Sequence, residues 1–420
     1  MENMLVTRIK ASNFYGIKDS VEVSFTEGGE KEKIGYANIG KERVSLVSGF
    51  YGANASGKST ILNVIDTIIR IMLLKQPEFV LGPNGIKQET VILLPNYHAS
   101  MQLRPTIMEM DFIISEDRYN YSISIINEGR EISEEVLYKN NKRVFNRKNH
   151  SVSFEANIAK NIGGLAENIV APKKSSFLSV ILDDSSDISV FGNIKKEMGV
   201  SELTQIKNKI CFITDKRSVQ GGQNNINGLF LFGINYLNNN QTSRDEKLSL
   251  VNSVVKYFEP SLKEIVIKPA GQNSFDFTAN YNNFYKSLPI TELSAGTREL
   301  ISYIGEVLRI IKNGGIVIYD ETSKYYHPDM EIAILNLFKD KDINKNNAQI
   351  FFSSHNHETF DLLQNDQAHI LEKKDDNIIV SKVSDYDVKE RDNVKRIYRL
   401  GSLGGVPNTI DFSRIINNLL

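Results

Sequence analysis

Apolar positions between residues 60 and 70 recur at intervals of three and four residues. They are Ile61, Val64, Ile65, Ile68 and Ile69. This spacing places all of them on one face of a helix. Just upstream, the apolar run at residues 44–50 has the length of a buried strand. The pattern therefore predicts a strand, a glycine-containing turn and an amphipathic helix, in that order.

Several segments in the first third of the chain alternate apolar and polar residues with a period of two, which is typical of strands. Residues 106–114 and 119–126 alternate and are joined by a four-residue polar turn. Two more strands are predicted near residues 132–139 and 143–147, and two earlier ones at residues 5–11 and 21–25. Short turns between successive strands favour an antiparallel β lobe at the N-terminus.

The pattern is weaker in the middle of the chain. Helices are predicted at residues 169–182, 229–237 and 248–258, and strands at residues 265–268 and 275–279. Glycine, asparagine and glutamine dominate residues 220–227 and 238–243, which indicates loops. This segment is predicted to be a mostly helical insertion.

From residue 293 onward the order becomes helix, strand, helix, strand, which is typical of a parallel sheet with crossover helices. The predicted fold class is α/β, with a mixed or parallel core sheet, an antiparallel β lobe and a helical insertion. We expect three parts: residues 1–150, 151–290 and 291–420.

The turn between the first predicted strand and helix carries the pattern G-x-x-x-x-G-K-S at residues 52–59. Gly52 and Gly57 let the backbone N–H groups approach a phosphate chain, and the helix start adds its positive dipole end. Lys58 is expected to reach the β- and γ-phosphates, and Ser59 to bind Mg²⁺. The pattern thus predicts an ATP site.

Two apolar strands in the second half end in polar residues. The first ends in Asp320 and Glu321, and the second in Ser353, Ser354 and His355. Parallel strands deliver their last residues to the carboxyl edge of the sheet, where ligands bind. Asp320 is therefore predicted to hold Mg²⁺, Glu321 to activate the attacking water, and His355 to contact the γ-phosphate or that water.

Ser294 precedes a predicted helix and is a favourable N-cap. The N–H groups of this helix start could bind a second anion. One chain does not need two phosphate sites for one nucleotide, so this helix start would cover the γ-phosphate held by a neighbouring subunit. An ordinary capped helix is the alternative.

Composition sets limits on the function. The 420 residues have a formal net charge of −1, so no global positive field recruits nucleic acid, although DNA binding by a local patch stays open. The single cysteine, Cys211, excludes an intramolecular disulfide. No apolar run reaches transmembrane length, and the first residues lack the apolar core of a signal peptide. A cytoplasmic protein that does not enter membranes is expected.

The order of these motifs resembles that of ABC-type ATPase heads, the class that contains SMC and RecF proteins. The Asn-Ala-Ser-Gly-Lys-Ser loop, an N-terminal Asn13-Phe14 strand and the Ser-Ser-His-Asn strand end look like the AAA-named, ABC-like ATPases of bacterial anti-phage systems. Those include RloA, AbiLi-type proteins, the OLD nuclease ATPase head and the AriA subunit of PARIS systems. The resemblance covers residues 1–150 and about 290–375.

The resemblance implies specific roles. Glu321 is implied to be the hydrolytic base and His355 the switch histidine, with Asp320 on Mg²⁺. Ser294 and Gly296 are implied to complete the site of a partner copy, in ATP-sandwich dimers or higher assemblies such as a hexamer. The residues implied to bind the nucleotide phosphates are Gly52, Asn54, Ala55, Ser56, Gly57, Lys58, Ser59 and Thr60. The glutamine that usually touches Mg²⁺ stays open between Gln88 and Gln102.

The resemblance also implies a nucleotide-dependent switch that responds to a phage protein trigger and controls a separate effector, a nuclease or toxin encoded in the same operon. The run at residues 324–326 departs from the pattern of the relatives, in a segment that usually meets the partner subunit. The mixed charges of residues 373–420 favour a solvated surface over a nucleic-acid patch. The alternative function is a RecF/SMC-like DNA-repair ATPase that binds DNA in an ATP-dependent way.

Overall fold

Helices and strands follow one another along most of the chain. The computed structural model describes residues 3–29, 32–75, 79–81, 87–89, 92–101, 103–165, 169–183, 188–207, 209–213, 241–271, 274–322, 327–389 and 392–406. The strands are β1 (Met4–Ser12), β2 (Val21–Ser24), β3 (Thr26–Gly28), β4 (Tyr36–Ile39), β5 (Glu42–Ser45), β6 (Val47–Tyr51), β7 (Phe79–Leu81), β8 (Lys87–Glu89), β9 (Thr106–Ile114), β10 (Asp117–Ile126), β11 (Glu131–Lys139), β12 (Lys142–Lys148), β13 (Ser151–Phe154), β14 (Ile210–Ile213), β15 (Leu262–Gly271), β16 (Ser274–Tyr281), β17 (Leu288–Pro289), β18 (Ile316–Tyr319), β19 (Gln349–Ser353), β20 (Ala368–Lys374) and β21 (Asn377–Lys382). The α-helices are α1 (Lys58–Leu73), α2 (Ala156–Ile162), α3 (Phe177–Ile181), α4 (Ile188–Glu197), α5 (Leu203–Ile206), α6 (Gln241–Phe258), α7 (Ala295–Asn313), α8 (Pro328–Lys339) and α9 (Val394–Arg399).

A mostly parallel sheet forms the core, with the strand order β14-β18-β19-β6-β20-β21 among the described residues. All neighbours pair in parallel except β20 and β21. Successive side chains of β18 point to opposite faces: Ile316 and Ile318 join the apolar cluster around α1, whereas Val317 joins the cluster around α7 and α8. Because both faces are covered, the strands are continuously apolar, and the predicted parallel sheet is confirmed.

A second, antiparallel sheet has the order β13-β12-β11-β10-β9-β1-β2. It confirms the predicted antiparallel lobe, because β9 to β12 are the four strands expected from the period-two pattern. The apolar face of α1 packs in one buried cluster with the inward side chains of this sheet and with one face of the core sheet. Helix α1 is thus clamped between two sheets, which fixes the loop that precedes it.

One fully buried glutamine joins the two sheets. The Gln349 side chain at the start of β19 accepts a hydrogen bond from the Val6 N–H (2.7 Å). Its amide donates to the carbonyl oxygens of Val6 (3.1 Å) and Ser45 (2.8 Å). These bonds tie β19 of the core sheet to β1 of the antiparallel sheet and to β5, so the antiparallel sheet is fixed at one position on the core sheet.

Two predictions about local elements are wrong. The apolar run at residues 44–50 is not one strand. It divides at Leu46, whose N–H donates to Gly35 O, so that β5 pairs with β3 and β4 while β6 enters the core sheet. The helix predicted at residues 169–182 is only α3, because Ser176 caps it and the preceding residues are extended around Pro172.

Residues 151–290 contribute helices and strands to different parts of the molecule. In the described portion, β13 extends the antiparallel sheet, β14 forms an edge of the core sheet, and β15 to β17 form a small sheet beside α6. The helix predicted at residues 229–237 lies outside the described residues. The division of the chain into three parts stays a prediction. Among the helices that the structure describes, none has both the length and the apolar character to cross a bilayer.

Candidate active site

The loop at residues 52–59 connects β6 to α1, as the sequence predicts. Lys58, the first residue of α1, is buried, and its ammonium group donates to the carbonyl oxygens of Gly52 (2.9 Å) and Ala53 (3.1 Å). Burial lowers the pKa of Lys58, an effect opposed by the charges of Asp320 and Glu321. The loop therefore curls around its own lysine and holds it at the helix start.

A cavity of about 310 Å³ opens at this loop, and we call it the loop cavity. Its lining residues are Gly16, Asn54, Ala55, Gly57, Lys58, Ser59, Thr60, Glu321, Lys373 and Ile378. Four parts of the chain that are separated in sequence thus meet at one opening. Of the predicted phosphate-binding residues, Gly52 and Ser56 do not line this cavity but lie buried behind it.

The end of β18 brings two carboxylates to the same edge of the core sheet. The Ser353 hydroxyl donates to the Asp320 carboxylate (2.6 Å) and accepts the backbone N–H of Glu321 (2.8 Å). Glu321 adopts a φ of 58°, which is unusual for a residue with a long side chain. Such a conformation persists where its surroundings enforce it, and Glu321 lines the loop cavity.

A buried carboxylate supports both strand ends. Glu331 on α8 accepts hydrogen bonds from the hydroxyl of Thr322, directly after Glu321, and from the side-chain amide of Asn356 (2.9 Å), directly after His355. Burial raises the pKa of Glu331, and these hydrogen bonds act in the opposite direction. One side chain therefore fixes the segment that follows Glu321 relative to the segment that follows His355.

His355 follows β19 and is solvent-exposed. Partial desolvation lowers the pKa of His355, and the positive charge of Lys58 lowers this pKa further. The negative charges of Glu321 and Asp320 act in the opposite direction. The imidazole is therefore neutral at neutral pH, with one nitrogen able to donate and the other to accept a hydrogen bond. His355 and the two carboxylates follow neighbouring parallel strands, so they lie at the same edge of the core sheet.

Ser294 and Gly296 lie elsewhere on the molecule. Ser294 caps α7 by accepting a hydrogen bond from the Thr297 N–H (3.1 Å), as the sequence predicts, and it is exposed. Although the structure describes both residues, neither lines the loop cavity. Gln102, the side chain of Gln88 and the divergent run at residues 324–326 lie outside the described residues. The mixed-charge tail is described only as far as residue 406.

Sequence reasoning missed several residues that shape the site. In the sequence, Ser353 is only part of a polar strand end, and Glu331 falls within an ordinary amphipathic helix pattern. Lys373 begins the charged segment that the sequence predicts to be a solvated surface; it is exposed, and it also lines the loop cavity. Only the polar ending of β19 offered a signal, since a hydroxyl at the carboxyl edge of a parallel sheet can hold a neighbouring carboxylate.

The last described residues connect the loop to the segment after His355. The Tyr398 hydroxyl on α9 donates to the Gly405 carbonyl oxygen (3.1 Å), and the Gly405 N–H donates to the Glu372 carboxylate (3.0 Å). The Tyr398 ring also contacts the ring of His357, with 5.1 Å between centroids. A Cβ atom placed on Gly405 would lie 3.5 Å from the Gly52 Cα. Residues 394–406 therefore support the start of the loop.

We expect Gly405→Ala to weaken ATP binding by about tenfold, whereas Gly401→Ala should change it by no more than about twofold. Both glycines have positive φ, 69° and 79°, so the backbone strain of the new side chain is similar. A Cβ at Gly405 would meet the buried Ile370 Cγ2 at 2.8 Å, whereas nothing lies within 4 Å of one at Gly401. Equilibrium titration of ATP, with thermal melts of each variant, measures the difference. Equal losses would show that the packing behind the loop does not matter.

The residues present fit a nucleotide with its metal. The loop offers a helix start, a lysine and backbone N–H groups to phosphate oxygens. The buried Ser56 hydroxyl has no hydrogen-bond partner within the described protein, which suits a loop that adjusts when an anion enters. Ser59 and Asp320 present hydroxyl and carboxylate oxygens, which are the ligands that Mg²⁺ prefers.

Comparison with protein families gives one match, to "AAA domain, putative AbiEii toxin, Type IV TA system", over residues 224–361. The matched range contains α7, both carboxylates at the end of β18 and His355, and it does not include the loop at residues 52–59. The match supports an AAA-type ATPase domain. Comparison with curated proteins gives no match.

Among solved structures, several SMC head domains align along most of the chain. An SMC head bound to the C-winged helix domain of ScpA is 12% identical, with a TM-score of 0.39, and covers 90% of this chain and 97% of its own. The SMC head from Thermotoga maritima is 10% identical, with a TM-score of 0.38 and coverages of 90% and 98%. An SMC head with an extended coiled coil, bound to the C-terminal domain of ScpA from Pyrococcus furiosus, is 10% identical, with a TM-score of 0.41 and coverages of 91% and 97%.

Proposed function

We propose that this chain is an ABC-type ATPase head that binds and hydrolyses ATP with Mg²⁺. The observation that carries the proposal is the loop cavity, where Lys58 and Ser59 of the loop share one opening with Glu321 of the second half of the chain. A phosphate-binding lysine beside a carboxylate at the edge of a parallel sheet is the arrangement needed to bind a nucleotide and activate water.

In this proposal each residue has one task. Lys58 exchanges its contacts to the loop carbonyls for oxygens of the β- and γ-phosphates. Ser59 and Asp320 hold the metal ion, which when bound neutralises phosphate charge. Ser353 orients Asp320 and fixes the backbone of Glu321, whose carboxylate takes a proton from the attacking water. His355, neutral at neutral pH, donates a hydrogen bond to the γ-phosphate.

The exposed position of Ser294 supports a sandwich of two copies. Its helix start is exposed and does not line the cavity that holds Lys58, so it is accessible to a nucleotide bound by another copy. We propose that Ser294 and Gly296 of one copy close over the γ-phosphate bound by its partner, in dimers or higher assemblies. Hydrolysis would then reopen the assembly.

We further propose that this switch acts in bacterial anti-phage defence, as in RloA, AbiLi and AriA proteins. The family match names a toxin of a toxin–antitoxin system, which supports a role beside a toxic effector. In this proposal the effector is a separate protein from the same operon, and a phage protein is the trigger. Silencing of a toxic neighbouring gene by this chain would support the role; ATP-dependent, salt-sensitive binding of duplex DNA without such an effector would favour a repair ATPase instead.

The sandwich predicts a mass that depends on nucleotide. With ATP and Mg²⁺ the chain should shift to at least twice its mass in solution, because two composite sites form only when both copies hold a γ-phosphate. Light scattering with ATP, with ADP and without nucleotide measures this shift. Ser294→Arg should abolish the shift and leave ATP binding by single copies intact. Ser253→Arg, at an exposed position on α6, is the matched control and should associate normally. A mass that does not change when ATP is added would contradict the sandwich. ATP-dependent association of the Ser294→Arg variant would contradict it as well.

A further inference from the structure

The hairpin of β20 and β21 forms one wall of the loop cavity. Ile378 on β21 packs against the loop so tightly that a Cβ on Gly57 would lie 2.4 Å from the Ile378 Cδ1. Lys373 on β20 is directly opposite Ile378 in the antiparallel register. Residues that oppose each other in such a pair point to the same face. Lys373 therefore faces the loop, and it lines the loop cavity together with Lys58.

The charge of Lys373 is available to a ligand at low cost. Its ion pair with Asp376 is 3.8 Å long, and both side chains are at least half exposed, at 51% and 70%. Exposed pairs of this length contribute little, so the lysine can exchange the carboxylate for a phosphate. Lys58, in contrast, is buried and donates to two carbonyl oxygens of the loop. A triphosphate bound here gains from a second cation, whose ion pair with Asp376 is exposed to solvent.

We propose that Lys373 is a second phosphate-binding lysine of the loop cavity, which contacts the phosphate chain of the nucleotide from the β20–β21 hairpin. The inference rests on the proposed ATP site and adds to it a residue outside the loop. It also assigns a task to the hairpin: Ile378 sets the distance to the loop, and Lys373 supplies the charge.

The next residue provides a matched control. Lys374 carries the same charge on the same strand, but successive strand residues point to opposite faces. It opposes Asn377 at the end of the hairpin, it is exposed, and it does not line the loop cavity. Replacing either lysine by alanine changes the net charge equally, so any difference between the two variants reports the position of the side chain.

The experiment is a titration of the full-length protein with ATP and Mg²⁺, with inorganic tripolyphosphate as a competitor. Lys373→Ala should weaken binding of both ligands by about tenfold, since a hydrogen bond to a charged group is lost. Lys373→Arg should restore most of the affinity, and Lys374→Ala should stay within about twofold of the parent. Thermal melts establish that all variants are folded.

Equal affinities of Lys373→Ala and Lys374→Ala would overturn the inference, as would a loss seen with ATP but not with tripolyphosphate, which would place Lys373 at the base or ribose. These outcomes differ from a failure of the ATP site itself. If the parent binds ATP and Lys58→Ala does not, the ATP site stands whatever Lys373 does. If the parent binds neither ligand, both the proposed function and this inference are wrong.

Discussion

Glu321→Gln is expected to reduce ATP hydrolysis by about 10²- to 10³-fold while ATP still binds. The amide has the shape of the carboxylate but cannot accept a proton from water at neutral pH. The Glu321 N–H remains bonded to the Ser353 hydroxyl, so the unusual backbone at this position is kept. The variant should also accumulate in the ATP-bound assembly, since its reopening requires hydrolysis.

Phosphate release and ATP affinity are the two quantities to compare. Glu358→Gln is a suitable control because Glu358 lies just beyond β19 in a 3-10 helix, at the surface, in an ion pair with Lys395. It removes one carboxylate near the same strand end without touching the loop cavity. Unchanged hydrolysis by Glu321→Gln would mean that another group activates the water. A drop of equal size in Glu358→Gln would point to a general effect of lost negative charge.

The elements that frame the site were predictable because their signals are local. A helix with apolar residues at intervals of three and four, preceded by a glycine-containing loop, needs one continuous stretch of sequence to be seen, and α1 forms where that pattern lies. The same holds for the alternating strands β9 and β10. The apolar strand β18, which ends in Asp320 and Glu321, could be placed at a sheet edge because parallel strands share one polarity.

The features that the sequence does not predict depend on contacts between residues that are far apart in the chain. Nothing near Gln349 shows that it will bond to Val6 and Ser45, and nothing near Lys373 shows that its strand will pair beside the loop. The apolar run at residues 44–50 illustrates the same limit. Its composition suits one strand, but each half finds different neighbours, so the chain breaks at Leu46.

The pattern of apolar and polar residues also does not predict which charged side chains are buried. Glu135 and Arg147 are fully buried in the antiparallel sheet, 3.4 Å apart, at positions that alternation alone would assign to a core of apolar residues. Glu135 accepts the backbone N–H groups at the start of α3, and Arg147 donates to the Ser175 carbonyl oxygen. The pair thus provides hydrogen-bond partners for buried backbone groups at and just before the start of α3. Only the folded structure shows that these groups lie beside the pair.

Lys58→Ala is expected to lower the affinity for ATP by about 100-fold or more, which corresponds to the loss of charge-assisted hydrogen bonds to phosphate in a protected site. Lys58 is buried at the start of α1, and its burial lowers the pKa, so the folded loop holds a cation at some cost in hydration. Because this charge is available to a phosphate, its removal should reduce the affinity for ATP much more than the stability of the fold. Thermal stability should change little.

Equilibrium titration with ATP tests this, with Lys75→Ala as the matched control. Lys75 lies just after the other end of α1, and its side chain is 53% exposed, so its loss changes the net charge equally without touching the loop. A Lys58→Ala variant that binds ATP as tightly as the parent would contradict the assignment of the loop. We expect Lys58→Ala to lose ATP binding and Glu321→Gln to bind ATP without hydrolysing it. Together, these two results would separate the tasks of the two halves of the chain. The first half would hold the phosphates, and the second would supply the group that activates water.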